Sequence, residues 1–204
     1  LAQGSCSAGQ QLCKVFARAR PSFPGLAQQL PRAASDFAMS APAADVPCVE
    51  AAVAVQVPAE LGEGSIWDAR SKRLLWLDIM NVRLYRFDPK SGDNEEHDLS
   101  AHSKAVSSVV PLAAEDDPSG EKVGITLKEG FALYDFKEKS VTVLPGNPPV
   151  AEHERFNDGK VDPAGRYWAG TIARDESGEC IPEAALYRRS ADGTVDKVLA
   201  PVTI

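Results

Sequence analysis

Short segments in which apolar and polar residues alternate recur from about residue 50 to the end of the chain. In residues 83–88, for example, Leu84 lies on one face of a predicted strand and Tyr85 on the other. Sequences rich in Gly, Pro, Asp and Ser separate these segments, and nothing between residues 50 and 204 has the spacing of a helix. The pattern predicts an all-β fold, with candidate strands at 64–69, 73–79, 83–88, 105–112, 121–127, 130–136, 157–163, 165–171 and 184–189.

A repeat of about fifty residues organises these strands. The pair Leu-Tyr recurs at 84–85, 133–134 and 186–187, each time in a unit that closes with a further candidate strand: EEHDL, VTVLPG or VDKVLAP. Four short strands per unit are typical of a β-propeller blade, whereas a β-solenoid would repeat faster and a sandwich would not repeat the pair in register. The sequence therefore predicts about three blades. Because a closed propeller needs about four to eight blades, we expect the propeller to be partial.

Composition and charge argue against several classes of partner. The net charge is -7 and no basic cluster offsets it, which argues against nucleic acid and anionic membranes. No apolar run in the sequence approaches the roughly eighteen residues of a membrane span. The four cysteines form no CxxC pair and the three histidines no HExxH motif. The sequence therefore favours free thiols in a reducing compartment and disfavours a histidine-rich zinc site.

The first part of the chain differs from the rest in composition. The residues before Met39 include one acidic residue, Asp36, and four basic residues: Lys14, Arg18, Arg20 and Arg32. A basic segment rich in Ser and Ala is typical of an organelle transit peptide, and translated upstream sequence with Met39 as the start is the alternative. We expect residues 1–49 to be a disordered extension in either case. The predicted location is cytoplasmic, or an organelle if residues 1–38 are a transit peptide.

Residues 155–171, RFNDGKVDPAGRYWAGT, are the most informative stretch of the sequence. They combine a polar turn carrying an arginine, an amide and a carboxylate with a tight Asp-Pro-Ala-Gly turn between two strands. This stretch closely resembles the regucalcin/senescence marker protein/gluconolactonase/luciferin-regenerating-enzyme family. The resemblance extends over about residues 50–204 and implies a six-bladed β-propeller of which this chain is the N-terminal half.

The resemblance also implies roles for particular residues. Glu63, in a sequence similar to the family's Gly-Glu-x-x-x-Trp, corresponds to a glutamate that binds a divalent metal ion. Arg155, Asn157 and Asp158 correspond to residues that contact the substrate, and Asp175 lies in a loop where relatives carry a substrate-contacting acid. From the residues alone, a solvated turn is the favoured interpretation of Glu63 between two glycines, and the Asn-Asp-Gly sequence is a good turn former.

The function that the resemblance implies is that of a metal-dependent lactonase, a hydrolase that opens a sugar lactone or related cyclic ester with Ca²⁺, Zn²⁺, Mg²⁺ or Mn²⁺. The family's asparagine and aspartate ligands, the latter the presumed base, are expected beyond Ile204. The sequence therefore offers no catalytic base, and we expect residues 1–204 alone to be inactive. A calcium-binding regulatory protein without significant catalysis and a propeller interaction scaffold are the alternatives.

Overall fold

The computed structural model describes residues 50–203. The predicted N-terminal extension, residues 1–49, lies outside the described residues. Within 50–203 the chain forms twelve β-strands and no helix, and therefore no helix there is long and apolar enough to cross a membrane. The strands are β1 Gly62–Asp68, β2 Arg73–Asp78, β3 Arg83–Phe87, β4 Asn94–Asp98, β5 Val106–Pro111, β6 Lys122–Leu127, β7 Gly130–Asp135, β8 Ser140–Val143, β9 Glu154–Val161, β10 Tyr167–Ala173, β11 Ala184–Arg189 and β12 Val195–Val202.

The strands form three antiparallel sheets of four, each in chain order. The sheets are β1 to β4, β5 to β8 and β9 to β12, which we call blades one, two and three. Neighbouring blades contact one another mainly through their first strands, β1, β5 and β9, which are therefore the innermost strands. This arrangement confirms the prediction of an all-β chain with about three β-propeller blades.

Two hydrophobic clusters hold neighbouring blades together. The cluster between blades one and two consists of Leu75, Leu77, Val82, Leu84, Leu99, Val106, Val109, Val123, Ile125, Leu127, Ala132, Tyr134 and Phe136. The cluster between blades two and three consists of Val110, Phe131, Phe156, Tyr167, Ala169, Ala185 and Tyr187. Because each cluster draws on two blades, burial of these side chains stabilises the packing between blades as well as each sheet.

A buried carboxylate fixes the entry of the chain into blade one. Asp78 is 1% exposed, and its two oxygens accept hydrogen bonds from the backbone amides of Glu60 (2.9 Å) and Leu61 (3.1 Å) and from Asn81 Nδ2 (2.7 Å). Burial by itself would raise the pKa of Asp78, but these hydrogen bonds outweigh it and the pKa lies below its ordinary value. The contact holds the segment before β1 against the end of β2.

Three hydroxyl groups form a network between blades two and three. Ser108 Oγ lies 2.7 Å from Thr126 Oγ1 and 2.7 Å from Tyr167 Oη. Gly159 makes this approach possible, because a Cβ atom there would lie 2.8 Å from Ser108 Oγ and 2.9 Å from the carbonyl oxygen of Trp168. The glycine is therefore required by close packing of β9 and not by its backbone conformation.

We expect Gly159→Ala to lower the free energy of unfolding by about 1–3 kcal/mol, since the added methyl group must displace the hydroxyl network or the strand backbone. The measurement is a urea unfolding curve. Gly62→Ala is the matched control, because a Cβ atom there meets Ala59 Cβ at 3.6 Å and Trp76 Cζ3 at 3.9 Å, both ordinary contacts, and we expect a change within about 0.5 kcal/mol. Equal effects of the two substitutions would contradict the packing argument.

We expect Asp78→Asn to destabilise the protein by about 1–3 kcal/mol at neutral pH, because it leaves a buried backbone donor without its acceptor. A lowered folded-state pKa means that the contribution of Asp78 is fully present above the ordinary value of 3.8 and is lost as pH falls through the lower folded-state pKa. Thermal unfolding between pH 7 and pH 2 should therefore show the variant and the unsubstituted protein converging at low pH. Asp93→Asn, in an exposed turn, is the control; an unchanged gap at pH 2 would contradict this account.

Candidate functional site

All three innermost strands contain a β-bulge in their first half. In each case the innermost strand holds one residue more than the neighbouring strand that pairs with it. The register shifts fall between Glu63 and Ile66 on β1, between Val106 and Ser108 on β5, and between Phe156 and Gly159 on β9. A bulge re-aims the side chains around it and is often found beside functional sites.

The bulged residues of the three strands line one small pocket. Its walls are formed by Glu63, Gly64, Ile79, Ser107, Asn157 and Asp158, and its volume is about 80 Å³. Glu63 is thus brought together with Asn157 and Asp158, although nearly a hundred residues separate them in sequence. We call this cavity the small pocket.

Gly64 positions the carboxylate of Glu63. Its φ angle is +65°, in the left-handed region, and a Cβ atom there would lie 3.2 Å from Leu77 Cδ1. Both observations indicate that the bulge on β1 requires glycine at this position. Upstream, the hydrogen bond from Leu61 to Asp78 fixes the chain two residues before Glu63. The Glu63 side chain itself is exposed and therefore accessible to a ligand.

Arg155 lines a second, larger pocket and hydrogen-bonds to Asn157 of the small pocket. Its Nη1 donates hydrogen bonds to the carbonyl oxygen of Phe156 (2.8 Å) and to Asn157 Oδ1 (3.0 Å), which orients the amide. Burial and the positive charge of Arg174 lower the pKa of Arg155, while the negative charge of Glu63 acts in the opposite direction. Glu63 and Arg155 therefore lie within electrostatic range of each other.

The structure corrects the predicted start of the strand that carries these residues. The sequence predicted a polar turn at 155–158 with a strand over 157–163, whereas β9 begins at Glu154. Arg155, Asn157 and Asp158 are therefore strand residues, and the bulge supplies the change of direction that a turn was expected to provide. The Asn-Asp-Gly sequence indicates a turn locally, but pairing with β10 overrides that preference.

Asp158 lies at the open side of the small pocket. Its Oδ1 accepts a hydrogen bond from the backbone amide of Gly159 at 2.7 Å, and Lys160 Nζ lies 3.9 Å away. The side chain of Asp158 is 69% exposed. One carboxylate oxygen is thus held by the backbone while the side chain remains available to a bound molecule.

A larger pocket of about 760 Å³ adjoins Arg155 and includes Asp175 in its wall. Its other charged residues are of both signs: Lys104, Lys128, Arg174, Glu152, Glu154, Glu176 and Glu183. Hydrogen bonds from the side chain of Ser177 and the backbone of Glu179 lower the pKa of Asp175, and both are received by Oδ1. Asp175 thereby orders its own turn. Its contact with a substrate stays a prediction, as do the roles of Glu63, Arg155, Asn157 and Asp158.

Ser107 is the pocket residue that sequence reasoning missed. It lies on β5 between the strands that carry Glu63 and Asn157, and only the Ser-Ser pair inside the apolar segment AVSSVVPL gives a sign of it. Ser107 is 2% exposed, and its Oγ has no hydrogen-bond partner among the described residues. A buried hydroxyl without a partner is unusual and calls for an explanation.

The side chains around the small pocket carry the type of ligand atom that a hard divalent cation prefers. Two carboxylates, an amide and the unpartnered hydroxyl of Ser107 provide oxygen ligands, which Ca²⁺ and Mg²⁺ prefer. The number of such ligands is small. Within residues 50–203, no three His, Cys, Asp or Glu side chains are grouped closely enough to hold a metal ion. The further ligands that the resemblance implies are expected outside the described residues.

Three stacked blades with a polar pocket between their innermost strands define a partial β-propeller. Residues 61–204 match the family model described as SMP-30/Gluconolactonase/LRE-like region. The chain therefore belongs to the SMP-30/gluconolactonase/LRE-like family, as the sequence predicted.

Individual relatives agree with this family. A 6-deoxy-6-sulfogluconolactonase of Pseudomonas putida is 38% identical over 130 residues, which cover 61% of this chain and 40% of that protein. Regucalcin of Gallus gallus is 40% identical over 129 residues, covering 63% and 38%. A solved structure of a calcium-binding protein, regucalcin, from Agrobacterium tumefaciens superposes with a TM-score of 0.58 at 27% identity, covering 73% of this chain and 46% of that one. The chain thus spans less than half the length of these relatives.

We expect Gly64→Ala to lower the free energy of unfolding by about 1–2 kcal/mol, because a residue with a side chain is strained in the left-handed conformation. The new methyl group would also press on Leu77 and move the bulge that carries Glu63. A urea unfolding curve measures the first effect and a crystal structure of the variant the second. Gly62→Ala on the same strand is again the control. Unchanged stability with Glu63 in place would contradict the role given to Gly64.

Proposed function

We propose that residues 1–204 belong to a metal-dependent, gluconolactonase-like lactonase, whose full-length form hydrolyses the ester bond of a sugar lactone or a related cyclic ester. The observation that carries the proposal is the convergence of Glu63, Asn157 and Asp158 on one pocket, with Arg155 hydrogen-bonded to Asn157. Membership of the SMP-30/gluconolactonase/LRE-like family and similarity to a protein named 6-deoxy-6-sulfogluconolactonase support it.

The two pockets, related by the hydrogen bond between Arg155 and Asn157, suit a substrate of this class. A volume of about 760 Å³ is that of a small-molecule site, and the small pocket of about 80 Å³ admits only an ion or a few water molecules. We assign the sugar ring to the larger pocket and its reacting end to the junction at Arg155. A polyhydroxylated lactone needs both donors and acceptors, which Arg155, Asn157 and Asp158 provide together.

Each residue of the site has a distinct task in this proposal. Glu63, the predicted ligand, would hold a divalent cation (Ca²⁺, Zn²⁺, Mg²⁺ or Mn²⁺) at the small pocket. Arg155 would donate hydrogen bonds to the carbonyl or a hydroxyl of the lactone, and Asp175 would accept one from a hydroxyl in the larger pocket. When bound, a divalent cation polarises the lactone carbonyl and lowers the pKa of a water ligand. We assign the general base to none of the described residues.

A calcium-binding regulatory protein without significant catalysis is the second candidate. One observation favours it: relatives of this chain are named regucalcin, and one of their solved structures is described as a calcium-binding protein. Both candidates use Glu63 as a ligand, so that cation binding does not distinguish them. Hydrolysis of a lactone does.

We expect a protein that contains residues 1–204 together with the further ligands implied by the resemblance to hydrolyse D-glucono-1,5-lactone, whereas residues 1–204 alone should be inactive. Treatment with EDTA should abolish the activity, and addition of one of the four cations should restore it. Glu63→Gln should weaken cation binding about 10-fold or more, since it removes a charged ligand. Arg155→Gln should raise KM about 10-fold through loss of hydrogen bonds from a charged donor. Calorimetry with the cation and a pH-stat assay of hydrolysis measure the two effects.

Glu138→Gln is the matched control for the loss of a charge, because Glu138 is exposed in the β7–β8 turn, outside both pockets. It should leave both constants unchanged. Hydrolysis that persists after complete chelation would contradict the metal dependence. Cation binding through Glu63 without hydrolysis of any lactone would favour the regulatory candidate.

A further inference from the structure

The hydroxyl of Ser107 is buried in the described structure without a hydrogen-bond partner. The residue is 2% exposed and its Oγ atom is inaccessible to solvent, yet no protein atom within residues 50–203 lies in position to share a hydrogen bond with it. A buried hydroxyl without a partner destabilises the folded state. Rotation of the side chain toward the small pocket would bring the hydroxyl within reach of a water molecule or ligand atom, and such a partner would remove that cost.

The neighbouring residue, Ser108, is also a buried serine, but its hydroxyl has hydrogen-bond partners. Ser108 is 1% exposed, and its Oγ is 2.7 Å from both Thr126 Oγ1 and Tyr167 Oη. The β-bulge on β5 falls between Val106 and Ser108, so that the extra residue of the strand is Ser107. The bulge thus leaves Ser108 in the contact between blades and places Ser107 at the small pocket.

The surroundings of Ser107 are those of a binding site for oxygen atoms. Glu63 and Asp158 contribute carboxylates and Asn157 an amide to the same pocket of about 80 Å³. Since water occupies about 30 Å³ in the liquid, the pocket has room for two or three oxygen atoms and not for a sugar ring. A hydroxyl can both donate and accept a hydrogen bond, which suits an oxygen atom held between carboxylates.

We propose that Ser107 is a ligand-binding residue whose hydroxyl hydrogen-bonds an oxygen atom held in the small pocket. That oxygen belongs to a water molecule on a bound cation or to a hydroxyl group of the sugar. The inference deepens the proposed lactonase function and rests on it for the nature of the ligand. It adds to the residues implied by the family resemblance one that no motif indicated.

The test compares Ser107→Ala with Ser108→Ala in the full chain. Binding of Mn²⁺ alone is measured by calorimetry, and binding of D-gluconate is measured in the presence of EDTA. We expect Ser107→Ala to weaken binding of at least one probe about 3- to 10-fold, the effect of one hydrogen bond, with an unfolding midpoint equal to or above that of the unsubstituted protein. Ser108→Ala should instead lower the midpoint, because it leaves the hydroxyls of Thr126 and Tyr167 without their shared partner.

The two probes distinguish the sources of the oxygen atom. An effect on Mn²⁺ alone identifies water on the cation, and an effect on gluconate alone identifies a sugar hydroxyl. Unchanged binding of both probes to Ser107→Ala, or a loss of stability as large as that of Ser108→Ala, would overturn the inference and leave the lactonase proposal standing.

A crystal structure of the unsubstituted protein decides the inference even if neither probe binds, an outcome that would count against the proposed function. An ordered oxygen atom about 2.5–3.0 Å from Ser107 Oγ, absent from Ser107→Ala, would support the role of Ser107. A hydroxyl turned to a backbone carbonyl, with no oxygen atom beside it, would overturn it.

Discussion

Close stacking of neighbouring blades through β1, β5 and β9 is the constraint on which the rest of this structure depends. Each blade buries apolar side chains against the next, and aromatic contacts such as Phe131 with Phe156, whose ring centres are 5.4 Å apart, extend across the boundary. Such packing allows little space between innermost strands, which is why Gly159 and the small hydroxyl residues lie there. Close packing between blades therefore determines both the stability of the protein and the geometry of the site.

The bulges reconcile this packing with a polar site. A regular strand would direct alternate residues into the apolar boundaries between blades, and a carboxylate or arginine buried there without a partner would be costly. One extra residue in each innermost strand turns Glu63, Ser107 and Asn157 toward a common pocket instead. The hydrogen bonds of Asp78 and the conformation of Gly64 then fix where the Glu63 bulge begins.

The chemistry of the site is oxygen-rich and only partly satisfied within the described residues. Arg155 and Asn157 orient each other, whereas the Ser107 hydroxyl has no partner and the carboxylates of Glu63 and Asp158 face solvent. Side chains of this kind suit molecules that bring their own donors and acceptors, as the proposed function requires. The relatives of this chain include proteins named 6-deoxy-6-sulfogluconolactonase and regucalcin.

The sequence by itself determined the class of fold and the family, because strand periodicity, the Leu-Tyr repeat and the residues 155–171 are properties of local order along the chain. It also identified Glu63, Arg155, Asn157 and Asp158 through their motifs, although it interpreted 155–158 as a turn. The tertiary structure places Glu63 and Asn157 in one pocket, and it alone decided that bulges direct them there and that Ser107 lies between them. These features depend on the pairing of the innermost strands with β2, β6 and β10 and on stacking between blades. Such contacts join residues that are distant in the chain, and they leave no periodic pattern in the sequence.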